Sequence, residues 1–109
     1  FDYVSNIGNR TFADGMDTEI FSFKNLEIAN LSTISDYDKE HVTKYFYEND
    51  KLYKIYNVTC DYDHFNIKLS IDSPDDFDKL KKNFLHNKID ADSPINEILK
   101  NWNNVKWKI

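Results

Sequence analysis

Apolar positions alternate with polar ones in some stretches of this chain and recur every three or four residues in others. Alternation marks a strand with one face buried; the wider spacing marks one face of a helix. Phe65-Asn66-Ile67-Lys68-Leu69-Ser70-Ile71 alternates throughout and predicts the clearest strand. Leu52-Tyr53-Lys54-Ile55-Tyr56-Asn57-Val58 predicts a second and Glu19-Ile20-Phe21-Ser22-Phe23 a third, and residues 1–5 read as a short strand too. Leu26, Ala29 and Asn30 fall one turn apart and predict a helix over 23–31. Val42, Tyr45 and Phe46 predict another from Asp38 to Glu48, ended by Asn49-Asp50.

Two helix starts are written in capping residues. Ser73-Pro74-Asp75-Asp76 places Ser at the N-cap, Pro at the first helical position and acids in the first turn. Phe77, Leu80, Phe84 and Leu85 are its expected buried stripe. Ser93-Pro94 starts a second helix, with Ile95, Ile98, Leu99 and Trp102 as its apolar positions. Both glycines, Gly8 and Gly15, lie in a loop over 6–18. The order of strands and helices predicts a mixed α/β fold in one domain over residues 1–109, with 103–109 as a last strand, a docking segment or a frayed end.

Composition narrows the class. Aromatic residues are 16% of 109, too many for a disordered tail. A net charge of −5 without a Lys/Arg block argues against nucleic acid as a partner. No apolar run approaches the roughly 18–20 residues that span a bilayer, so no membrane span is expected. Cys60 is the only cysteine, so no intrachain disulfide can form, which fits a reducing, cytoplasmic setting. Cys60 reads as a small core side chain beside Val58 or as a reactive thiol. Three Asn-X-Ser/Thr triplets, at Asn9, Asn30 and Asn57, are expected by chance in so Asn-rich a chain. The chain opens on Phe1 and at once reads as a strand, which suggests that it begins inside a larger domain.

Three segments could carry chemistry. Asp72 stands where a strand ends and a helix begins, the edge at which open α/β sheets bind ligands. It either caps the helix with Ser73 or supplies a hard oxygen to Mg²⁺; Asp75 and Asp76 read as first-turn acids facing the helix dipole. Arg10-Thr11-Phe12-Ala13-Asp14-Gly15-Met16-Asp17 is a loop with one guanidinium and two carboxylates. Arg10 there serves a phosphate or carboxylate, or a surface ion pair with Asp14 or Asp17. Glu40-His41 at a helix could contact a polar substrate or be solvated. His64 and His86 show no partner in the sequence, and no zinc spacing, Ser-His-Asp set, P-loop or glycine-rich nucleotide fingerprint is present.

Val4-Ser5-Asn6, the run from Arg10 to Phe23, Glu40 to Tyr47 and Lys68 to Phe77, in this order, resemble cytidylyltransferases of the spore-coat-polysaccharide type. The wider group is similar to enzymes that activate 3-deoxy-manno-octulosonate and acylneuraminates. The resemblance covers roughly residues 1–100 and corresponds to the C-terminal half of such an enzyme. It implies a nucleotide-diphospho-sugar transferase fold of the glycosyltransferase-A type, a mixed sheet with flanking helices, and transfer of CMP from CTP to a sugar or sugar acid for surface polysaccharide. It implies Mg²⁺ at Asp72, substrate contacts at Arg10, Asp14, Asp17, Glu40 and His41, a missing N-terminal half that carries the nucleotide site, and a homo-oligomer. An isolated chain of this length would then be inactive, and a non-enzymatic dimerisation or binding module from the same family is the alternative. Ala13 and Lys44 stand where the family has Pro, and Lys68 where it commonly has Arg. Ser70-Ile71-Asp72 departs from the paired acids of sialic-acid members.

Overall fold

The computed structural model describes residues 1–33, 35–61, 63–90 and 92–102, so the expectation for 103–109 lies outside the described residues. The chain forms two compact units that interleave in sequence. One comprises Phe1–Thr11 with Asp17–Asp61; the other comprises Phe12–Met16 with the described residues after Asp61. Because the second unit borrows a short segment from within the first, no shift in composition marks a boundary.

In the first unit, β1 (Tyr3–Ser5), β2 (Glu19–Phe21) and β3 (Ile55–Asn57) form a sheet in the order β2-β1-β3. β1 pairs antiparallel with β2 and parallel with β3, with Ser5 opposite both Glu19 and Asn57. The helices α1 (Phe23–Ser32), α2 (Asp36–Glu40) and α3 (Lys44–Glu48) lie between β2 and β3 in sequence. Ser22 caps α1 through Asn25 N–H at 3.1 Å and Ser35 caps α2 through Asp38 N–H at 3.1 Å. The expected helix over Asp38–Glu48 is therefore two short ones, broken at 41–43, where His41 leaves helical geometry as the α2 C-cap. The expected strand at 52–58 shortens to Ile55–Asn57, because its ladder partner among the described residues is the three-residue β1.

Tyr3, Ala29 and Phe46 are the buried core of this unit, with Phe21, Tyr45, Tyr53 and Ile55 packed on them. The Tyr3 hydroxyl is not left unpaired there: it donates to Glu19 Oε2 at 2.7 Å. Cys60 is half-buried rather than core, and its backbone N–H donates to Thr11 Oγ1 at 2.8 Å.

In the second unit, the run 65–71 does not form the long strand that its alternation predicts. It makes one parallel bridge, Lys68 to Asp14. Asp14 N–H donates to Ile67 O at 2.8 Å and Leu69 N–H donates to Asp14 O at 2.7 Å. Alternation set the faces only at the centre of the run: Ile67 is buried and joins Ala13 and Leu99, with Leu69, Met16 and Trp102 packed on them, while Phe65 and Ile71 are exposed. The partner, a loop, is simply too short to extend the ladder.

The helix α4 (Pro74–Asn87) begins as expected, with Ser73 accepting from Asp76 N–H at 3.2 Å and Pro74 in the first turn. It ends on Lys88 in the left-handed conformation, φ 55°. Its buried face differs from the expected stripe. Asn83 is fully buried, Leu80 and Phe84 are half-buried, and Phe77 and Leu85 are exposed. Asn83 Oδ1 accepts from Asn87 Nδ2 at 2.7 Å, so a polar pair at i, i+4 occupies the place expected for Phe77 and Leu85. The last helix, α5 (Ile95–Trp102), buries Leu99 as expected.

Replacing Ser73 with Ala removes the oxygen that caps α4. The expected cost is about 1 kcal/mol, read as a lower urea midpoint at unchanged m-value.

Candidate functional site

Alternation along 68–72 puts Lys68, Ser70 and Asp72 on one side of an extended segment. The parallel bridge then brings Asp14 alongside. Ser70 Oγ lies 3.0 Å from Asp14 Oδ2 and 3.3 Å from Asp72 Oδ2. A hydroxyl carries one proton, so Ser70 can donate to only one of these carboxylates at a time. Two carboxylates from different segments of the unit thus meet on one side chain. Gly15 permits this approach. Its φ is +98°, and a Cβ there would stand 2.9 Å from Ser70 N and 3.1 Å from Leu69 C, both backbone atoms.

Lys68 is the cation of the cluster. Its Nζ lies 2.8 Å from Asp72 Oδ2 and 2.9 Å from Asp76 Oδ2. Asp76 Oδ2 also accepts from Ser73 Oγ at 2.9 Å and from Asp72 N–H at 3.2 Å. The Lys68 ammonium first, then the Ser73 hydroxyl and the Asp72 N–H, pull the Asp76 carboxyl down to about 2. The same two acids hold Lys68 above the ordinary lysine range. Asp76, expected only as a first-turn acid, is therefore the anchor that ties Lys68 to the helix start. Asp72 is the exposed member, with 70% of its side chain accessible.

Mg²⁺ is ordinarily held by one or two carboxylates, with water and phosphate oxygens completing its shell. Asp72 and Asp14 fit that donor set. No group of three or more His, Cys, Asp or Glu among the described residues could hold a metal. A cation here would therefore take its remaining ligands from water or substrate, and would compete with Lys68 for Asp72.

The other expected site residues lie in the first unit. Arg10 and Asp17 form a two-pronged ion pair, NH1 to Oδ1 at 2.5 Å and NH2 to Oδ2 at 2.9 Å. Glu40 is exposed at the end of α2. His41 is exposed too, and its ring meets the edge of Tyr37 at 4.4 Å. Lys44 organises this corner: it pairs with Asp38 at 3.1 Å and Glu48 at 3.3 Å and lies 4.8 Å from the Tyr37 ring centroid. The structure thus brings together Arg10 with Asp17, and Asp14 with Asp72. Glu40 and His41 adjoin in sequence but share no partner described here. Sequence reasoning missed Lys68 and Ser70 as site residues, although their even spacing from Asp72 already placed them on its face.

No family model matches the chain. The chain is 37% identical over 89 residues to an uncharacterised protein of Methanocaldococcus jannaschii, a match covering 77% of this chain and 35% of that protein. In three dimensions it is similar to a cytidylyltransferase from Leptospira borgpetersenii serovar Hardjo-bovis, with a TM-score of 0.83 and 27% sequence identity. That match covers 92% of this chain and 42% of the solved one. The chain thus spans about a third of the first relative and under half of the second. Its α/β units have the fold of part of a cytidylyltransferase, and no helix among the described residues is long and apolar enough to cross a membrane.

Two outcomes follow from the cluster. Gly15→Ala combines an unfavourable φ with a backbone clash and is expected to destabilise by about 1–3 kcal/mol; a melting temperature equal to that of the parent contradicts the close approach. Asp76 has a folded-state pKa below its ordinary 3.8, so its stabilisation is complete above about pH 4 and is lost as the pH falls toward 2. The stability gap between the parent and Asp76→Asn, followed by urea denaturation, should shrink across that window.

Proposed function

We propose that this chain is the C-terminal part of a Mg²⁺-dependent sugar nucleotidyltransferase that transfers CMP from CTP to a sugar and releases pyrophosphate. The observation that carries this reading is the likeness to a cytidylyltransferase over nearly the whole chain. The remainder of a glycosyltransferase-A-like domain, outside this chain, would hold the nucleotide. A sugar hydroxyl oxygen attacks the α-phosphorus, the bond to pyrophosphate breaks, and the hydroxyl proton passes to solvent water. Such chemistry depends mainly on positioning and charge. Bound Mg²⁺ would neutralise phosphate charge.

The residues of this chain prepare that step. Asp72 and Asp14 present carboxylate oxygens on a shared hydroxyl, and Gly15 fixes the approach of their two segments. Lys68 pairs with both Asp72 and Asp76, so it would keep Asp76 as a partner if Asp72 turned to a metal ion. Asp17 fixes the plane of the Arg10 guanidinium, the group suited to an anionic substrate oxygen. Glu40 and His41 stand exposed at the end of α2 and would serve as polar contacts. A role in surface polysaccharide synthesis, a homo-oligomeric state and a cytoplasmic location, where CTP is found, belong to the same proposal. One observation favours the second reading, a non-enzymatic dimerisation module: Asp72 already has Lys68 as an ion-pair partner.

Asp72→Asn in the protein that carries this chain separates the two readings. Turnover measured as pyrophosphate release should fall on the order of a hundredfold, the several kcal/mol that metal charge supplies, while the Mg²⁺ concentration for half-activity rises and the melting temperature holds. Near-normal turnover removes Asp72 from the metal site, and no CTP-dependent release in the parent leaves the dimerisation module.

A further inference from the structure

The parallel strands β1 and β3 end side by side at Ser5 and Asn57. Carboxyl ends of parallel strands are where open α/β sheets receive ligands. A concavity of about 340 Å³ opens there, toward the small end of the roughly 300–1,000 Å³ range of ligand pockets. Tyr3, Ile7 and Ile55 give it apolar surface, and Tyr47 gives it a half-exposed aromatic wall. Ser5 and Asn57 bring neutral polar atoms.

Its rim is built. Asn57 Oδ1 accepts from Asn9 N–H at 2.9 Å, and Asn57 Nδ2 donates to Asn9 O at 3.2 Å. This two-way latch holds the loop after β1 across the strand ends. Gly8 makes room for it, because a Cβ there would lie 2.8 Å from Asn57 Oδ1.

Charge decides what the pocket can take. No lining residue carries charge. Behind the lining, Glu19 accepts the Tyr3 hydroxyl at 2.7 Å. Burial, and then the charges of Glu19 and Glu48 against that of Lys44, hold the Tyr47 phenol above its usual range. A carboxylate entering here would meet negative charge and no cation in the lining. A ring bearing hydroxyls and C–H faces meets an aromatic wall and neutral hydrogen-bonding groups.

We propose that this pocket binds a neutral monosaccharide between Tyr47 and the ends of β1 and β3, and that it excludes sugar acids. The assignment of that sugar as the acceptor rests on the nucleotidyltransferase reading; the binding itself does not.

The test is saturation-transfer NMR on the protein that carries this chain. The probes are D-mannose, L-rhamnose, N-acetylglucosamine, N-acetylneuraminate and 3-deoxy-manno-octulosonate, with CTP measured in parallel. Transfer to at least one neutral sugar and to neither acid is expected. Tyr47→Ala should reduce that transfer at least fivefold, and Gly8→Ala, which displaces Asn57, should weaken it as well. Leu85→Ser, in the other unit, should leave it unchanged. Transfer to an acid, transfer to no neutral sugar, or transfer undiminished in Tyr47→Ala overturns the proposal. CTP binding without sugar binding overturns the pocket alone. Sugar binding without CTP turnover supports the pocket and overturns the nucleotidyltransferase reading.

Discussion

The ring of Phe46 is the contact on which the first unit depends. Its three strands have three residues each, and ladders so short contribute little order of their own. Phe46, from α3, lies 5.2 Å from the rings of Tyr3 on β1, Phe21 on β2 and Tyr53 before β3. One side chain thus ties a helix to two strands and to the segment that leads into the third. Aromatic pairs at such spacing contribute about 0.5–1.5 kcal/mol each beyond the area they bury. Tyr3 belongs both to this core and to the pocket surface. The pocket surface is thus continuous with the packed aromatic core.

The second unit is organised by charge instead. Its apolar core is small, built on Ala13, Ile67 and Leu99. Above it, Lys68 draws together a strand end and a helix start through Asp72 and Asp76. Ion pairs this exposed are worth little individually. Their value lies in arrangement: of the two carboxylates on Lys68, Asp72 is open to solvent and Asp76 is largely covered, so one ammonium joins an exposed acid to a sheltered one.

Much of this was readable from the residues. Capping chemistry at Ser73-Pro74 located α4 to the residue, because cap, proline and first-turn acids act locally. Alternation assigned the inward faces of Ile67 and Leu69 correctly, since the facing of a strand is also a local property. It overstated strand length at 52–58 and 65–71, because length depends on a partner that the segment itself does not encode. Asn83 was missed in the α4 stripe: a buried amide looks polar in sequence, and its partner Asn87 becomes visible only once the helix is known to bury that face. Asp72 was singled out just before the start of α4, and its meeting with Asp14 was not foreseen, because it runs through Ser70, 56 positions from Asp14. The Asn9–Asn57 latch was hidden for the same reason.

The borrowed segment Phe12–Met16 has a consequence for biosynthesis. It leaves the ribosome well before the rest of its unit, since Asp14 must await Ser70, 56 positions later. At synthesis rates of about 5–20 residues per second, the delay is several seconds, far longer than the microseconds in which a hairpin forms. During that interval Ala13 has no Ile67 to pack against, and the backbone of Asp14 has neither of its bridging hydrogen bonds. The second unit can therefore close only late and through non-local contacts, the slow regime of folding. The first unit, whose core residues from Tyr3 to Ile55 are all made earlier, is positioned to fold ahead of it and keep the waiting segment anchored at both ends.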